Sequence, residues 1–342
     1  MPEPLISVVI AARNAAGTIG RAVRSALREP EVAEVVLVDD ASSDRTVAAA
    51  RDAAEGDRRL SVIQLDINRG PAAARNLAIN RSSAPFVAVL DADDRFLERR
   101  FRNVFSVGGW DFAADDIIFV EEGVDPPVAV GNSEAKDVPQ WLSLKDFVEG
   151  NISRRGTYRG ELGFLKPVIK RSFIERHGLL YNERLRLGED YEFYARALIH
   201  GARFKVTSAC GYLATVRPNS ISGCHRTDDL LRLANADRAM LQMEGLPDGA
   251  AAALKRHERQ VRDKYRLRRF LDRKAEAGVI SALAFAFSGA GNPLTIARGI
   301  ATDKARAFRK RVVPDFAKSD QPPVRFLMRS RVASGDGFSR KG

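Results

Sequence analysis

Cysteine is scarce: two residues in 342, Cys210 and Cys224, far apart and without CxxC spacing. That excludes a disulfide framework and a cysteine-based zinc site, and it fits a reducing compartment. The opening stretch MPEPLISVVIAARNAAG has no basic segment before its short, β-branched apolar run. It is expected to be a first strand and not a signal peptide. No apolar run approaches the roughly 20 residues of a membrane span; the longest candidate is VISALAFAF at 279–287. Neither GxGxxG after the first strand nor GxxxxGK followed by Ser or Thr occurs, so dinucleotide-binding and P-loop readings lose support. No RRM, KH or zinc pattern and no internal repeat is present, so nucleic acid is not an expected partner.

Charge of one sign is concentrated at one end. Residues 251–342 hold 22 Lys/Arg against 8 Asp/Glu, whereas the first 250 hold 33 against 36. The net +11 therefore belongs to the last third of the chain, which suggests an anionic surface as partner, lipid head groups or, as the less favoured choice, nucleic acid.

The first 90 residues alternate strand and helix patterns. Strands are expected at 5–12, 34–40, 60–65 and 86–90. Helices are expected after Thr18 (a candidate cap, with Pro30 as stop), over 42–54 and over 70–82, where Pro71 suits a first turn. Continuous β-branched runs such as LISVVIAA belong to strands covered on both faces, so the pattern predicts a parallel sheet between helices. Further on, strands are expected at 116–122 and 163–169, helices at 97–105, 142–150 and 188–201, and two strands within 202–217. From 225 to about 313 the pattern turns helical and basic, and the polar tail is expected to be disordered.

Four constellations carry chemistry. In VLVDDASSD, Asp39 and Asp40 end the second strand, at the edge where ligands enter an open α/β sheet; one is expected to cap a helix and the other to meet a ligand. In VLDADD, Asp91, Asp93 and Asp94 crowd the end of a buried strand. Three carboxylates coexist most easily around a cation, and oxygen-only ligands select Mg²⁺ or Mn²⁺. The plainer alternative is a solvated turn, with Asp94 capping the next helix. In GEDYEFYARA, Glu189 and Asp190 open a helix, where the dipole favours anions; Asp190 is either simple N-terminal charge placement or a general base. In TVRPNSISG, Arg217 with Ser220 and Ser222 either grips phosphate or forms a surface turn.

The ordered set ISVVIAARNAAGTI, VVLVDDASSDRT, NRGPAAARN, VLDADD, GED and RPNSIS, over residues 5–223, resembles the family 2 glycosyltransferases. Its first hundred residues look particularly like the succinoglycan-type exopolysaccharide glucosyltransferases of rhizobia. The resemblance implies an α/β protein of GT-A fold, a Rossmann-like mixed sheet flanked by helices. It implies a catalytic domain over 1–225, with a nucleotide-sugar half at 1–105 and an acceptor half at 106–225. A helical basic extension would follow at 226–316 and a tail at 317–342. It implies an inverting hexosyl transfer from a UDP-sugar, with Mn²⁺ or Mg²⁺, onto a lipid-linked oligosaccharide. By position, Ala11, Arg13, Asn14, Asp39, Asp40, Asn68, Arg75, Asp91 and Arg217 would bind the nucleotide-sugar. Asp93 and Asp94 are the candidate metal ligands and Asp190 the catalytic base. Many relatives carry His at the position of Arg217; arginine cannot ligate a metal but can hydrogen-bond a diphosphate. Tyr158, Glu161 and Lys166 are candidate acceptor contacts.

The basic segment 249–313 has two readings: an amphipathic attachment to an anionic membrane at the inner face of the cell, or a helical layer packed on the core. A transferase with another donor, or a nucleotidyltransferase, are the functional alternatives.

Overall fold

A computed structural model describes residues 5–123, 139–152, 161–216, 225–312 and 324–328. The expected alternation is present. Strands β1 (Ile6–Ala12), β2 (Val32–Asp39), β3 (Leu60–Gln64) and β4 (Phe86–Val89) form a parallel half-sheet in the order β3-β2-β1-β4. Val8, Val9, Ile10, Val35, Leu37 and Val38 are buried, as continuous apolar runs require when helices cover both faces. Those helices are α1 (Ile19–Leu27), α2 (Thr46–Ala54) and α3 (Pro71–Arg81). Ala72, Ala73, Ala74 and Ala78 of α3 are buried, and their small side chains let the helix lie close over β1 and β2.

Two local expectations change. Thr18 occupies the cap position of α1, but its hydroxyl donates to the Ala15 carbonyl and receives nothing from the helix. Helix α2 begins at Thr46 and not at Ser42, because Asp44 accepts from the Thr46 amide at 3.0 Å and ends the loop there.

The second half of the sheet is mixed. After a two-residue strand β5 (Arg95–Phe96) and helix α4 (Arg100–Phe105) come β6 (Phe112–Glu121), β7 (Gln140–Leu142) and α5 (Leu144–Asn151). A 3-10 turn (Leu162–Phe164), β8 (Val168–Lys170), α6 (Arg171–His177), α7 (Glu189–Ile199) and β9 (Phe204–Val216) follow. The expected strand at 163–169 is thus a 3-10 turn followed by the short β8. The two strands expected within 202–217 are one, because β6 pairs along nearly all of β9 in parallel and absorbs the irregularity with register shifts around Asp116. Strand β8 bridges the halves, antiparallel to both β4 and β6.

The core does not stop at residue 225. Helix α8 (Thr227–Met240) and the first half of α9 (Ala250–Ala286) contribute Leu230, Leu233, Ala234, Leu254 and Val261 to the main apolar cluster. A separate small cluster joins Phe270, Ala282, Phe285 and Ala286 of α9 to Ile296 of α10 (Pro293–Val312). Strand β10 (Val324–Phe326) then returns to pair with β6. Among the described residues, no helix is long and apolar enough to cross a membrane.

Candidate active site

The carboxyl ends of β1, β2 and β4 lie side by side, with Ala12 registered against Asp39. Asp39 does not cap α2. Its carboxylate takes the Ser42 hydroxyl and, at 3.3 Å, the Ser42 amide. Ser42 in turn accepts from the Asn14 amide at 2.9 Å, while Asn14 Oδ1 accepts from the Ser43 amide at 2.9 Å. Asp39, Ser42 and Asn14 are therefore one hydrogen-bonded unit that fixes the loop after β1, where Arg13 also lies; Ala11 is within β1 itself, registered against Val38 of β2.

Asp40 is buried, and its two oxygens accept from the amides of Arg69 at 2.7 Å and Gly70 at 2.8 Å. Asn68 accepts from the same Gly70 amide at 3.0 Å. Gly70 has φ 91° and ψ 163°, a conformation that side chains resist. Asp40 and Asn68 thus hold the turn that launches α3.

Helix α3 carries Arg75 into the centre of the site. Its guanidinium donates to Asp91 at 2.7 Å, to Glu189 at 3.0 Å and to Asp190 at 3.3 Å. Lys166, from the segment before β8, donates to Asp190 at 2.6 Å and stands 3.0 Å from Asp91. Two buried cations thereby gather three carboxylates from a strand end and a helix start. Burial opposes the charged form of Asp91, but Lys166 and Arg75 outweigh it and hold the carboxyl well below the usual range. Burial likewise opposes the Lys166 and Arg75 charges, and Asp190 and Asp91 overturn it, so both cations lose their protons less readily than usual.

The sequence marks Lys166 only as a candidate acceptor contact. The sequence signal for its larger role is a lone lysine inside GFLKPVI, since a cation in a buried apolar run needs a carboxylate partner. Arg100 of α4 supports this lysine from behind. It is buried against Asp115, with Nη2 at 2.7 Å, and donates to the Lys166 carbonyl at 2.5 Å.

Asp94 is not a helix cap. Its carboxylate accepts from the Tyr212 hydroxyl at 2.7 Å and from the Thr215 amide at 2.9 Å, both on β9. Burial, together with the charges of Asp91 and Asp93, pushes its carboxyl well above the usual range. Tyr212 also accepts from the Asp91 amide at 3.1 Å, so one hydroxyl pins the LDADD turn at two points. Asp93 and Asp94 line a cleft of about 330 Å³ with Arg21, Arg95, Glu121, Gly123 and Thr215.

Asp93 and Asp94 both face this cleft, and carboxylate oxygens are the ligand type that suits a hard divalent cation. Mg²⁺ commonly takes only one or two protein carboxylates and fills its shell with water and phosphate. Among the described residues, no three His, Cys, Asp or Glu side chains converge on one metal position. Arg217, Ser220, Ser222 and Tyr158 lie outside the described residues.

The architecture has solved counterparts. TarS of S. aureus, in a structure with UDP, superposes with a TM-score of 0.54 at 20% identity, over 80% of this chain and 72% of that one. A mannosyltransferase of Pyrobaculum calidifontis, solved with GDP-Man and Mn²⁺, gives 0.55 at 19% identity, over 90% of this chain and 82% of that one. The fold is that of the GT-A glycosyltransferases.

Sequence comparison narrows the class. Residues 7–114 match the model of Glycosyl transferase family 2. The chain is 49% identical to succinoglycan biosynthesis protein ExoU of Rhizobium meliloti (strain 1021), over 94% of this chain and 95% of that protein. It is 38% identical to ExoO of the same organism, over 78% and 76% respectively. The chain belongs to glycosyl transferase family 2 and is a glycosyltransferase.

Proposed function

We propose that the chain transfers a hexose, glucose from UDP-glucose, with inversion onto a lipid-linked oligosaccharide in succinoglycan-type exopolysaccharide assembly. The work would be done at the inner face of the cell membrane. The observation that carries the mechanism is the convergence of Asp91 and Asp190 on Arg75 and Lys166. It brings the carboxylate at the end of β4 and a carboxylate at the start of α7 onto the same two cations. The pathway rests on the likeness to ExoU and ExoO. A nucleotide-sugar donor is supported by the neighbours solved with UDP, UDP-GlcNAc and GDP-Man.

In this reading Asp190 accepts the proton of the acceptor hydroxyl as its oxygen bonds to the anomeric carbon. The bond from that carbon to the diphosphate oxygen breaks on the opposite face, and UDP departs. Asp190 donates nothing; each of its oxygens retains a second lone pair beside the bond from Lys166 or Arg75. Asp91 meets the ribose, and Arg13, Asn14, Asp40 and Asn68 shape the nucleotide wall. Asp93, backed by Asp94, would hold Mn²⁺ or Mg²⁺, which supplies charge neutralisation for the leaving diphosphate when bound.

The test is a panel of UDP- and GDP-sugars screened for Mn²⁺-dependent hydrolysis, with Asp190→Asn alongside. UDP-glucose is expected to be preferred. The substitution is expected to keep UDP binding and lower turnover by about 10²–10⁴-fold, the range of general-base contributions. A preference for another donor would replace the substrate assignment, and near-normal turnover would remove Asp190 as the base.

A further inference from the structure

The last 19 residues before Arg298, 279–297, contain no Asp, Glu, Lys, Arg or His. They begin where α9 breaks: Gly278 has φ 79° and ψ 179°, so the helix changes direction there. They end inside α10. The inner side of this helical hairpin packs Ala282, Phe285 and Ala286 against Phe270 and Ile296. Its outer side packs on nothing described. Val279 is 54% exposed, Ile280 86%, Leu283 46%, Phe287 75% and Leu294 83%.

Five large apolar side chains on one short hairpin form a patch of the kind that marks a membrane or protein contact. The surrounding charge decides between these. Arg273 and Lys274 precede the stretch and Arg298 follows it, with Glu276 the one acid among them. The whole segment 251–342 carries a net +14. A second copy meeting this face symmetrically would set like charges against each other, whereas an anionic bilayer surface attracts them.

We infer that the tip of the α9–α10 hairpin inserts Ile280, Leu283, Phe287 and Leu294 into an anionic lipid surface. The helical part of the tip, 279–286, is about 12 Å long at 1.5 Å per residue, too short to span and long enough to reach the headgroup boundary. The inference deepens the proposed lipid-borne acceptor by naming the element that brings the enzyme to it. The break at Gly278 lets the tip bend away from the half of α9 that is fixed to the core.

The experiment is co-sedimentation of the full chain with phosphatidylcholine vesicles, with and without phosphatidylglycerol. Donor hydrolysis and light scattering are measured on the same samples. Binding is expected only to the anionic vesicles. Ile280→Glu with Phe287→Glu is expected to weaken it at least ten-fold while leaving donor hydrolysis unchanged. Equal binding by the double variant, no binding by the native chain, or a dimer abolished by these substitutions would each overturn the inference. Loss of hydrolysis in the native chain with vesicle binding intact would instead count against the proposed transfer reaction alone.

Discussion

Lys166 donates to Asp190 at 2.6 Å, tying the start of α7 to the end of β4 through the same ammonium that stands beside Asp91. Without that cation, two carboxylates face each other with Arg75 as the shared partner. Lys166→Met is therefore expected to lower stability by about 3–5 kcal/mol, the usual cost of orphaning a buried charge. The pH dependence follows from two shifts of opposite kind. Asp91 is held below its ordinary 3.8, so its contribution is present above that value and lost as the pH falls through its folded value. Lys166 is held above its ordinary 10.5, so its contribution is present below that value and lost as the pH rises through its own. Urea titrations should show the gap between native and variant proteins widest between these limits and narrowing below about pH 4. A gap that persists unchanged in acid would mean that Lys166 only packs.

Asp93 is expected to separate metal binding from stability. It is half-buried on the cleft, so Asp93→Ala should unfold near the native temperature. Mn²⁺ should raise the melting temperature of the native chain and not of the variant, since a ligand stabilises only the state that binds it. EDTA should abolish transfer, with Mn²⁺ or Mg²⁺ restoring it. Equal thermal shifts in both proteins would move the metal elsewhere.

Much of this site was legible in the sequence because backbone physics announces it. Runs such as ISVVIAA and FVAV can only be strands covered on both faces, and acids that end such runs must lie on the ligand edge of the sheet. Lys166 and Tyr212 were not legible as partners of those acids. Their roles depend on β8 and β9 folding back across about 75 and 120 residues of chain. No local period encodes that pairing. The continuity of β9 was hidden for a related reason. The gap between ARFKVT and GYLATVR falls at Ser208–Cys210, where β9 continues through a register shift and Cys210 pairs with Asp116 of β6. Strands as short as β5 and β10 have no room for an alternating pattern. The sequence leaves open whether α8 and α9 pack on the core, because a basic amphipathic helix looks alike whether a core or a bilayer covers its apolar face.

Tyr212→Phe removes the hydroxyl that donates to Asp94 and accepts from the Asp91 amide. Two buried polar groups lose a partner, at a cost of about 1–3 kcal/mol each at most. The ring remains, with its edge contact to Phe96 at 5.9 Å. The LDADD turn should loosen while the sheet stays formed. The expected result is a still cooperative unfolding transition lowered by that cost, together with transfer slowed by ten-fold or more. Native turnover in this variant would show that the strand end alone positions the acids.

The neighbouring Gly211 should behave in the opposite way. A Cβ there would lie 2.3 Å from Arg100 Cγ and 2.5 Å from Asp115 Oδ2. Neither group has space to retreat, since Arg100 and Asp115 are both buried in their mutual ion pair. Gly211→Ala is expected to destabilise by about 1–3 kcal/mol or more, as overpacking does. Chemical denaturation should show it. A neutral result would mean that the Arg100–Asp115 pair can move aside.

The C-terminal helices meet the start of α7 through a buried acid and a ring contact. Asp237 of α8 accepts from the Tyr191 hydroxyl at 2.8 Å and lies 2.7 Å from Nδ1 of His257 on α9. Tyr191 follows Asp190 directly, and its ring lies against His257 with centroids 4.4 Å apart. Deleting the basic third would therefore uncover the core, and it would also strip β10 from β6. A single substitution is the cleaner probe. His257→Ala leaves Asp237 with one partner fewer, at a cost of about 1–3 kcal/mol, and frees Tyr191 to shift. If the helices hold Asp190 in place, kcat should fall while the donor KM stays near native. His257→Gln, which keeps a donor for Asp237, should recover most of the loss. A fall in stability with kcat unchanged would assign His257 to packing alone.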